Sequence, residues 1–359
     1  MQLGLSESLS ALVARRFKAA KESNHLVFSP THVSIVMAAG IPYQLRYCPA
    51  LAKKPSNLKP ESGPKGPKPD PFENPSPELL LAHFPPENPS HALVLNKFPV
   101  IPNHFILATK EWRAQTDLLE KADLEATYGC LRTWGFENSS SSNSAEKPRL
   151  YAFFNSGEDS GASQPHRHLQ FLPVEAMRQS GTEGWHPLIE LLAAQQPKTQ
   201  PPSSPTSTSS AFQYMPHLPF AHFALPLPPN PSPETLHSIY MSLYRAAVAA
   251  TEGRDPAQAQ VDLPSDGPAA ISYNLAMTLS TMMIAPRKVE TATVPVDLAA
   301  ASDTIDPGVI SLNGTILAGT LMVKAEAEWD SLRHHPENLN RALRDVGFPR
   351  VDYCGGSVL

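Results

Sequence analysis

The sequence has few cysteines, no excess of positive charge and no long apolar run, and each of these excludes a class of protein. Its three cysteines, Cys48, Cys130 and Cys354, are far apart and form no C-x-x-C pair, which argues against a disulfide framework and a structural zinc site. The formal net charge of −5 gives no reason to expect nucleic acid as a partner. Neither a membrane-spanning run nor a secretory h-region is visible. We expect a soluble cytoplasmic protein, also compatible with the nucleus, with no nucleic-acid or membrane partner.

Proline, in contrast, is abundant, and it divides the chain into segments. The 39 prolines are about twice the average usage. Stretches 53–78, 138–148 and 195–210 are rich in Pro, Ser or Lys and lack the apolar residues needed to fold, although the first can be partly ordered if its lysines meet a ligand. The third stretch predicts the domain boundary. We therefore predict an N-terminal domain over 1–194, a linker over 195–212 and a C-terminal domain over 213–359.

The hydrophobic patterns between these stretches mix helices and strands. They predict, among other elements, strands at 25–28, 166–172 and 315–323 and helices at 113–133 and 233–252. Trp112 and Trp134 are expected in the core. Because strands and helices do not alternate strictly, an α+β fold with a mostly antiparallel sheet is favoured over a doubly wound one. We expect the C-terminal part to complete or cover this sheet.

The stretch "SGASQPHRHLQ" (160–170) carries the strongest chemical pattern. On a strand, His166, His168 and Gln170 share one face, while Arg167 and Leu169 share the other. A row of polar side chains is costly to bury without partners, so this face should meet solvent or a ligand.

Small residues precede the two histidines, and Gly161 among them lets backbone N–H groups approach an anion. A neutral imidazole can attack phosphorus and form a covalent intermediate. Zinc binding by the H-x-H pair would need a third ligand, and no nearby side chain has an obvious spacing. From the pattern alone, an ordinary strand, a metal site and a nucleotide site all remain open.

The same stretch resembles the signature of the fungal-type diadenosine tetraphosphate (Ap4A) phosphorylases, also called ATP adenylyltransferases. This family belongs to the histidine-triad superfamily. Within it, the family lies in the H-x-H-x-Q branch, together with galactose-1-phosphate uridylyltransferase. Further matches cover nearly the whole chain in order: "RYCPALAKKP" (46–55), "LNKFPVIPNHFILATKEW" (95–112), "LPFAHFALPLP" (218–228) and "SYNLAMT…APR" (272–287). The resemblance implies a histidine-triad-like sheet flanked by helices. This chain departs from the family at 279–281, where Leu-Ser-Thr replaces charged or bulky residues, which puts contacts from this hairpin to the distal phosphates in doubt.

The resemblance also implies a role for individual residues. His168 matches the nucleophile that takes up AMP, His166 the histidine that orients it, and Gln170 a hydrogen-bond partner of the α-phosphate. The residues implied to bind the rest of the nucleotide are Lys54 (or Lys53), Asn96, Lys97, Asn155, Gly157, Ser160, Ala162, Ser163 and Gln164. His104 and His222, in contrast, are expected to be structural.

The implied reaction converts Ap4A and inorganic phosphate into ATP and ADP. We expect no tightly bound cofactor and no protein metal site, although a divalent cation such as Mg²⁺ can accompany the polyphosphate. A monomer suffices if one chain carries both halves of the site. Two alternatives remain: a uridylyltransferase acting on sugar phosphates, and a nucleotide-binding sensor without catalysis.

Overall fold

An antiparallel sheet of eight strands forms the central layer of the protein. The computed structural model describes residues 4–53, 70–136, 148–195, 212–256, 263–297 and 306–350. The strands in these ranges are β1 (His32–Ala38), β2 (Ile41–Tyr47), β3 (Leu80–Phe84), β4 (His91–Leu95), β5 (Phe105–Thr109), β6 (Leu150–Ser156), β7 (His168–Pro173), β8 (Phe223–Pro226), β9 (Tyr273–Met277), β10 (Thr281–Pro286), β11 (Thr291–Thr293), β12 (Val309–Ser311) and β13 (Thr320–Val323). The α-helices are α1 (Leu9–Glu22), α2 (Lys121–Phe136), α3 (Val174–Met177), α4 (Leu188–Ala194), α5 (Pro233–Thr251), α6 (Glu326–His334) and α7 (Pro336–Val346). The predicted α+β class with a mostly antiparallel sheet is confirmed.

Both larger sheets take strands from both sides of the predicted boundary near residue 195. The central sheet has the order β3-β4-β5-β7-β6-β9-β10-β8, and a second sheet has the order β1-β2-β13, with β2 and β13 parallel. A separate ribbon joins β11 to β12. The C-terminal part therefore completes the central sheet through β8, β9 and β10, as expected.

Successive side chains of the central strands pack into two different cores, because successive residues of a strand face opposite sides. In β6, Ala152 and Phe154 join a core that includes α1, α2 and α5. Tyr151 and Phe153 join the other core, which includes the second sheet and α3, α4, α6 and α7. In β7, Leu169 and Phe171 face the first core. His168 and Gln170 therefore face the opposite side, as strand alternation predicts.

The ends of the long helix α5 follow ordinary capping chemistry. Ser232 is the N-cap and its hydroxyl accepts a hydrogen bond from the backbone of Thr235, while Pro233 occupies the first turn. The predicted helix at 233–252 is confirmed within one residue. Of the described helices, none is long and apolar enough to cross a membrane.

Other elements differ from the sequence prediction. The helix predicted over 113–133 begins only at Lys121, because residues 113–117 instead run beside the start of β7: Ala114 forms a bridge with His166, and the backbone of Gln115 donates to Pro165 O. Residues 25–28 form no strand. The first half of the predicted strand 315–323 is a 3₁₀ helix, Gly314–Ala318.

The two tryptophans also differ in their burial. Trp134 is in the core as predicted. The prediction for Trp112 was wrong, since it is 63% exposed. Trp112 lies in the segment that runs beside β7 rather than on a helix, so the helical spacing that predicted its burial does not apply there.

Candidate active site

His168 is the first residue of β7, and its ring is held by its own chain. Its Nδ1 lies 2.8 Å from the backbone oxygen of His166, and its backbone N–H donates to Gln115 Oε1 at 2.8 Å. Because a carbonyl oxygen only accepts, this contact assigns the proton to Nδ1. The lone pair of Nε2 is then available for a bond to an electrophile.

Burial makes this imidazole a neutral group. His168 is 2% exposed, and the loss of solvation lowers its pKa from 6.5 to about 4, although the hydrogen bond to His166 O acts in the opposite direction. A histidine with this pKa is almost fully neutral at pH 7, which is the state that a nucleophile needs.

His166 lies just before β7 and is held at both ring nitrogens. Asp70 Oδ2 lies 2.6 Å from its Nδ1, and Thr109 Oγ1 lies 2.9 Å from its Nε2. The backbone oxygen of Glu111 is a further contact of Nε2 at 3.2 Å. These partners fix the ring, and with it the carbonyl that positions His168.

The two histidines share an aromatic neighbour, Phe72. Its ring centroid lies 5.0 Å from that of His168 and 5.8 Å from that of His166. The backbone N–H of Phe72 donates to Asp70 Oδ1 at 2.9 Å, so Asp70 and Phe72 are held as one turn. Both residues lie in the stretch 53–78 that the sequence predicts to lack a folded structure, and sequence analysis therefore missed them.

Gln115 connects His168 to the neighbouring strand β6. Besides accepting from His168 N, its Nε2 donates to Asn155 O at 2.7 Å and to His168 O at 3.2 Å. The side chain is buried. It was not predicted either, since it falls within the supposed helix 113–133.

The turn between β6 and β7 depends on two glycines. Gly157 and Gly161 have φ values of +89° and +78°, which side-chain-bearing residues rarely adopt. At Gly161, a Cβ would also lie 2.7 Å from Leu312 O. The Ser160 hydroxyl donates to Gly157 O at 2.6 Å and so stabilises the turn itself. Ser163, in contrast, is exposed, and Ala162 and Gln164 are half-buried.

Asn155 links this turn to the C-terminal part. Its Oδ1 accepts from Asn274 Nδ2 at 3.0 Å and from the backbone of Gly314 at 2.8 Å. Asn274 Nδ2 also donates to Ser160 O, and Arg287 donates to Asn274 Oδ1 at 2.6 Å. Among the described residues, the buried Nδ2 of Asn155 has no hydrogen-bond partner. A buried amide without a partner is costly, so Asn155 Nδ2 is a candidate donor to a ligand oxygen, although Asn155 does not line the cavity described next.

A cavity of about 480 Å³ opens beside these groups. Gln170, Ser163 and Asn96 line it with polar atoms, and its apolar walls include Phe153 and Ile310. Its volume lies in the range of small-molecule sites. Asn96 also bonds through Nδ2 to His104 Nδ1 at 3.0 Å, and His104 itself lines the cavity. Lys97 is exposed, with its Nζ 5.7 Å from the centroid of the Phe98 ring.

On the opposite face of the strand, Arg167 anchors β7 to helix α2. Its NH1 lies 2.9 Å from Asp123 Oδ2 and 3.0 Å from Glu120 Oε1, and His91 Nε2 lies 2.9 Å from Asp123 Oδ1. Burial alone would raise the pKa of Asp123, but His91 and Arg167 outweigh it and lower that pKa. This cluster fixes β7 on the face opposite His168 and Gln170.

Two parts of the chain concern the polyphosphate: the lysine at position 53 or 54, and the hairpin between β9 and β10. Lys54 lies outside the described residues, and Lys53 ends the described 3₁₀ helix Pro49–Lys53. In the hairpin between β9 and β10, Leu279 is 42% exposed. The described residues include no group of three or more His, Cys, Asp or Glu side chains that could hold a metal ion.

Comparisons with known proteins give matches over nearly the whole chain. Residues 2–193 match the family model of the Ap4A phosphorylase N-terminal domain, and residues 216–349 match that of the ATP adenylyltransferase C-terminal domain. Two Saccharomyces cerevisiae proteins are similar over 97% of both chains: diadenosine 5',5'''-P1,P4-tetraphosphate phosphorylase 2, at 26% identity, and protein APA1, at 27%. The crystal structure of yeast Ap4A phosphorylase Apa2 superposes with a TM-score of 0.74 at 25% identity, covering 97% of this chain and 99% of that one. The Apa2 complex with Ap4A gives a TM-score of 0.73 at 24% identity, covering 97% and 99%.

Proposed function

The chain belongs to the Ap4A phosphorylase family, and we propose that it cleaves diadenosine tetraphosphate with inorganic phosphate, through an AMP adduct on His168, to give ATP and ADP. It is a nucleotidyltransferase of the ATP adenylyltransferase class. One observation carries the proposed mechanism: a buried, neutral His168 whose Nδ1 proton is fixed by His166 O, so that the Nε2 lone pair is available.

In the first step, the Nε2 lone pair of His168 attacks the α-phosphorus. The bond between that phosphorus and its bridging oxygen breaks, and ATP leaves with the electron pair. In the second step, an oxygen of inorganic phosphate attacks the same phosphorus, the P–N bond breaks, and its electron pair returns to Nε2. The products are ADP and the free enzyme, so one difficult displacement becomes two easier ones.

Positioning and charge neutralisation supply most of the catalysis in phosphoryl-type transfers. We assign the nucleoside to the cavity lined by Asn96 and Gln170. The free Nδ2 of Asn155 and the turn at 160–164 would donate hydrogen bonds to phosphate oxygens. Gln170 would hold the α-phosphate. Lys54, outside the described residues, stays a candidate for the polyphosphate, and Mg²⁺ would arrive as part of the substrate.

The site can be completed by one chain. Asn274 and Gly314 of the C-terminal part bond directly to Asn155 of the N-terminal part. We therefore propose a functional monomer. Size-exclusion chromatography with light scattering on the active enzyme tests this; an obligate dimer would contradict it.

The adduct itself is the decisive test. Enzyme incubated with Ap4A, without phosphate, should gain the mass of one adenylyl group and release one equivalent of ATP, and added phosphate should remove the adduct as ADP. His168→Ala should form no adduct, whereas His217→Ala, a change at an exposed histidine, should behave as wild type. No adduct on the wild-type protein would refute the mechanism.

Base preference separates the proposal from a uridylyltransferase. The same incubation with diuridine tetraphosphate, or with a uridine diphosphate sugar, should give little adduct compared with Ap4A. A larger uridylyl adduct would favour the alternative. A protein that binds Ap4A without forming any adduct would be the sensor.

A further inference from the structure

We propose that Asp70 is a positioning residue for this transfer, and that its carboxylate, acting through His166, stabilises the positive charge that His168 carries while it holds AMP. The inference rests on the proposed adduct at His168. It adds a residue that does not touch the nucleotide.

The carboxylate of Asp70 is fixed at both oxygens. Oδ2 lies 2.6 Å from His166 Nδ1, and Oδ1 accepts from the backbone of Phe72 at 2.9 Å. The Asp70 side chain is 21% exposed and the His166 side chain 1%, so the contact is largely shielded from solvent. Phe72 is buried and packs against both histidine rings.

This contact sets the tautomer of His166. An ionised carboxylate only accepts hydrogen bonds, so Nδ1 of His166 must carry a proton. The neighbours of the other nitrogen, Nε2, are Thr109 Oγ1 at 2.9 Å and the backbone oxygen of Glu111 at 3.2 Å. The backbone oxygen of His166 in turn accepts the Nδ1 proton of His168. Asp70 therefore connects to the nucleophile through one residue.

The proposed adduct places a positive charge on His168, which the carboxylate of Asp70 can stabilise through this connection. When Nε2 of a neutral imidazole bonds to phosphorus and Nδ1 keeps its proton, the ring becomes an imidazolium with one positive charge, and the departing ATP takes the electron pair of the broken P–O bond. His168 is buried, and the loss of solvation that lowers its pKa to about 4 also opposes a charged adduct. The charge of Asp70 acts in the opposite sense, since it raises the pKa of His168.

Asp70→Asn is the sharpest test, because it keeps the shape and a hydrogen-bond acceptor while it removes the charge. We expect the rate of adduct formation to fall roughly 10–100-fold, as for the loss of a charged hydrogen-bond partner. The Michaelis constant for Ap4A should change by less than about threefold, since Asp70 does not line the cavity to which we assign the nucleoside. The equilibrium between free enzyme with Ap4A and adduct with ATP should move toward free enzyme. Asp70→Glu, which restores the charge, should recover part of the rate.

A matched control is available three residues away. Glu73 is exposed, so Glu73→Gln removes the same charge from the same segment and should leave both rate and equilibrium unchanged. A wild-type protein that forms no adduct would refute the proposed function. A wild-type protein that forms it while Asp70→Asn forms it at the same rate and equilibrium would refute only the role of Asp70. Loss of folding in Asp70→Asn would also overturn it, because Asp70 would then be a structural residue.

Discussion

The pH dependence of adduct formation follows directly from the burial of His168. The loss of solvation in the core lowers its pKa from 6.5 to about 4. At pH 5.5 an ordinary histidine would be neutral in only about a tenth of the molecules, whereas His168 would be neutral in more than nine tenths. We therefore expect the rate constant for adduct formation to stay nearly constant from pH 8 to pH 5 and to fall by half only near pH 4.

The same shift makes a contribution to stability with a definite sign. Because the folded pKa lies below the unfolded one, the unfolded chain binds more protons between pH 6.5 and pH 4. The contribution of His168 to stability is therefore fully present above pH 6.5 and is lost as the pH falls through this window. Because the pKa of His168 is lowered from 6.5 to about 4, this contribution to the free energy of unfolding is about 3 kcal/mol.

A second buried histidine gives a control for this experiment. His222 has the same lowered pKa of about 4, also through burial, and its Nδ1 lies 2.8 Å from Phe220 O. Its Nε2 accepts from the backbone of Met215 at 2.8 Å. His222→Asn should reduce the loss of stability between pH 6.5 and pH 4, and should leave the midpoint of adduct formation unchanged.

The assay is single-turnover adduct formation with Ap4A and no phosphate, which removes the titration of the acceptor from the measurement. The free energy of unfolding in urea is measured at each pH. Imidazole resonances of histidine-labelled protein report the two titrations directly. A midpoint of adduct formation near pH 6.5, in protein that is still folded, would refute the buried neutral nucleophile.

Three substitutions test the surroundings of His168. Gln170→His should raise AMP release relative to ADP release, since an imidazole can activate water and an amide cannot; unchanged hydrolysis would count against this. Gln115→Ala removes the side-chain partner of His168 N and of Asn155 O and should lower the free energy of unfolding by about 2–4 kcal/mol; a change below about 0.5 kcal/mol would contradict the contact. Gly314→Ala places a Cβ 2.7 Å from Asn155 Oδ1 and 2.8 Å from the Phe153 ring, and should cost about 1–3 kcal/mol and weaken Ap4A binding, measured by calorimetry. Gly184→Ala, which meets nothing within 4 Å, is its control.

The sequence predicts the parts of the site that depend on local periodicity. Strand alternation assigned His168 and Gln170 to one face, and Leu169 and Phe171 are indeed in the opposite core. The fold class also followed from the order of elements. The helix predicted from residue 113 was wrong in its first turns, because tertiary pairing with β7 outweighs helical spacing there.

The remaining contacts depend on residues far apart in the chain. Asp70 is 96 residues from His166, and Asn155 is 119 residues from Asn274. Nothing in the local pattern pairs them. Asp70 and Phe72 also lie in a proline-rich stretch, where composition argues against order. A single aspartate and phenylalanine there gave no signal that could separate them from their neighbours.

His168 and His222 show where the reactivity of the site originates. Both rings donate from Nδ1 to the carbonyl two residues earlier, and both have pKa values lowered to about 4 by burial. The local chain can therefore build a neutral, oriented imidazole at either position. What differs is the environment of Nε2: at His222 the Met215 N–H donates to it, whereas at His168 none of the residues that the structure describes bonds to it. Orientation and neutrality are thus properties of the local motif, but the proposed nucleophilic use of His168 depends on Asp70, Phe72, Gln115 and Asn155, which distant segments bring around it.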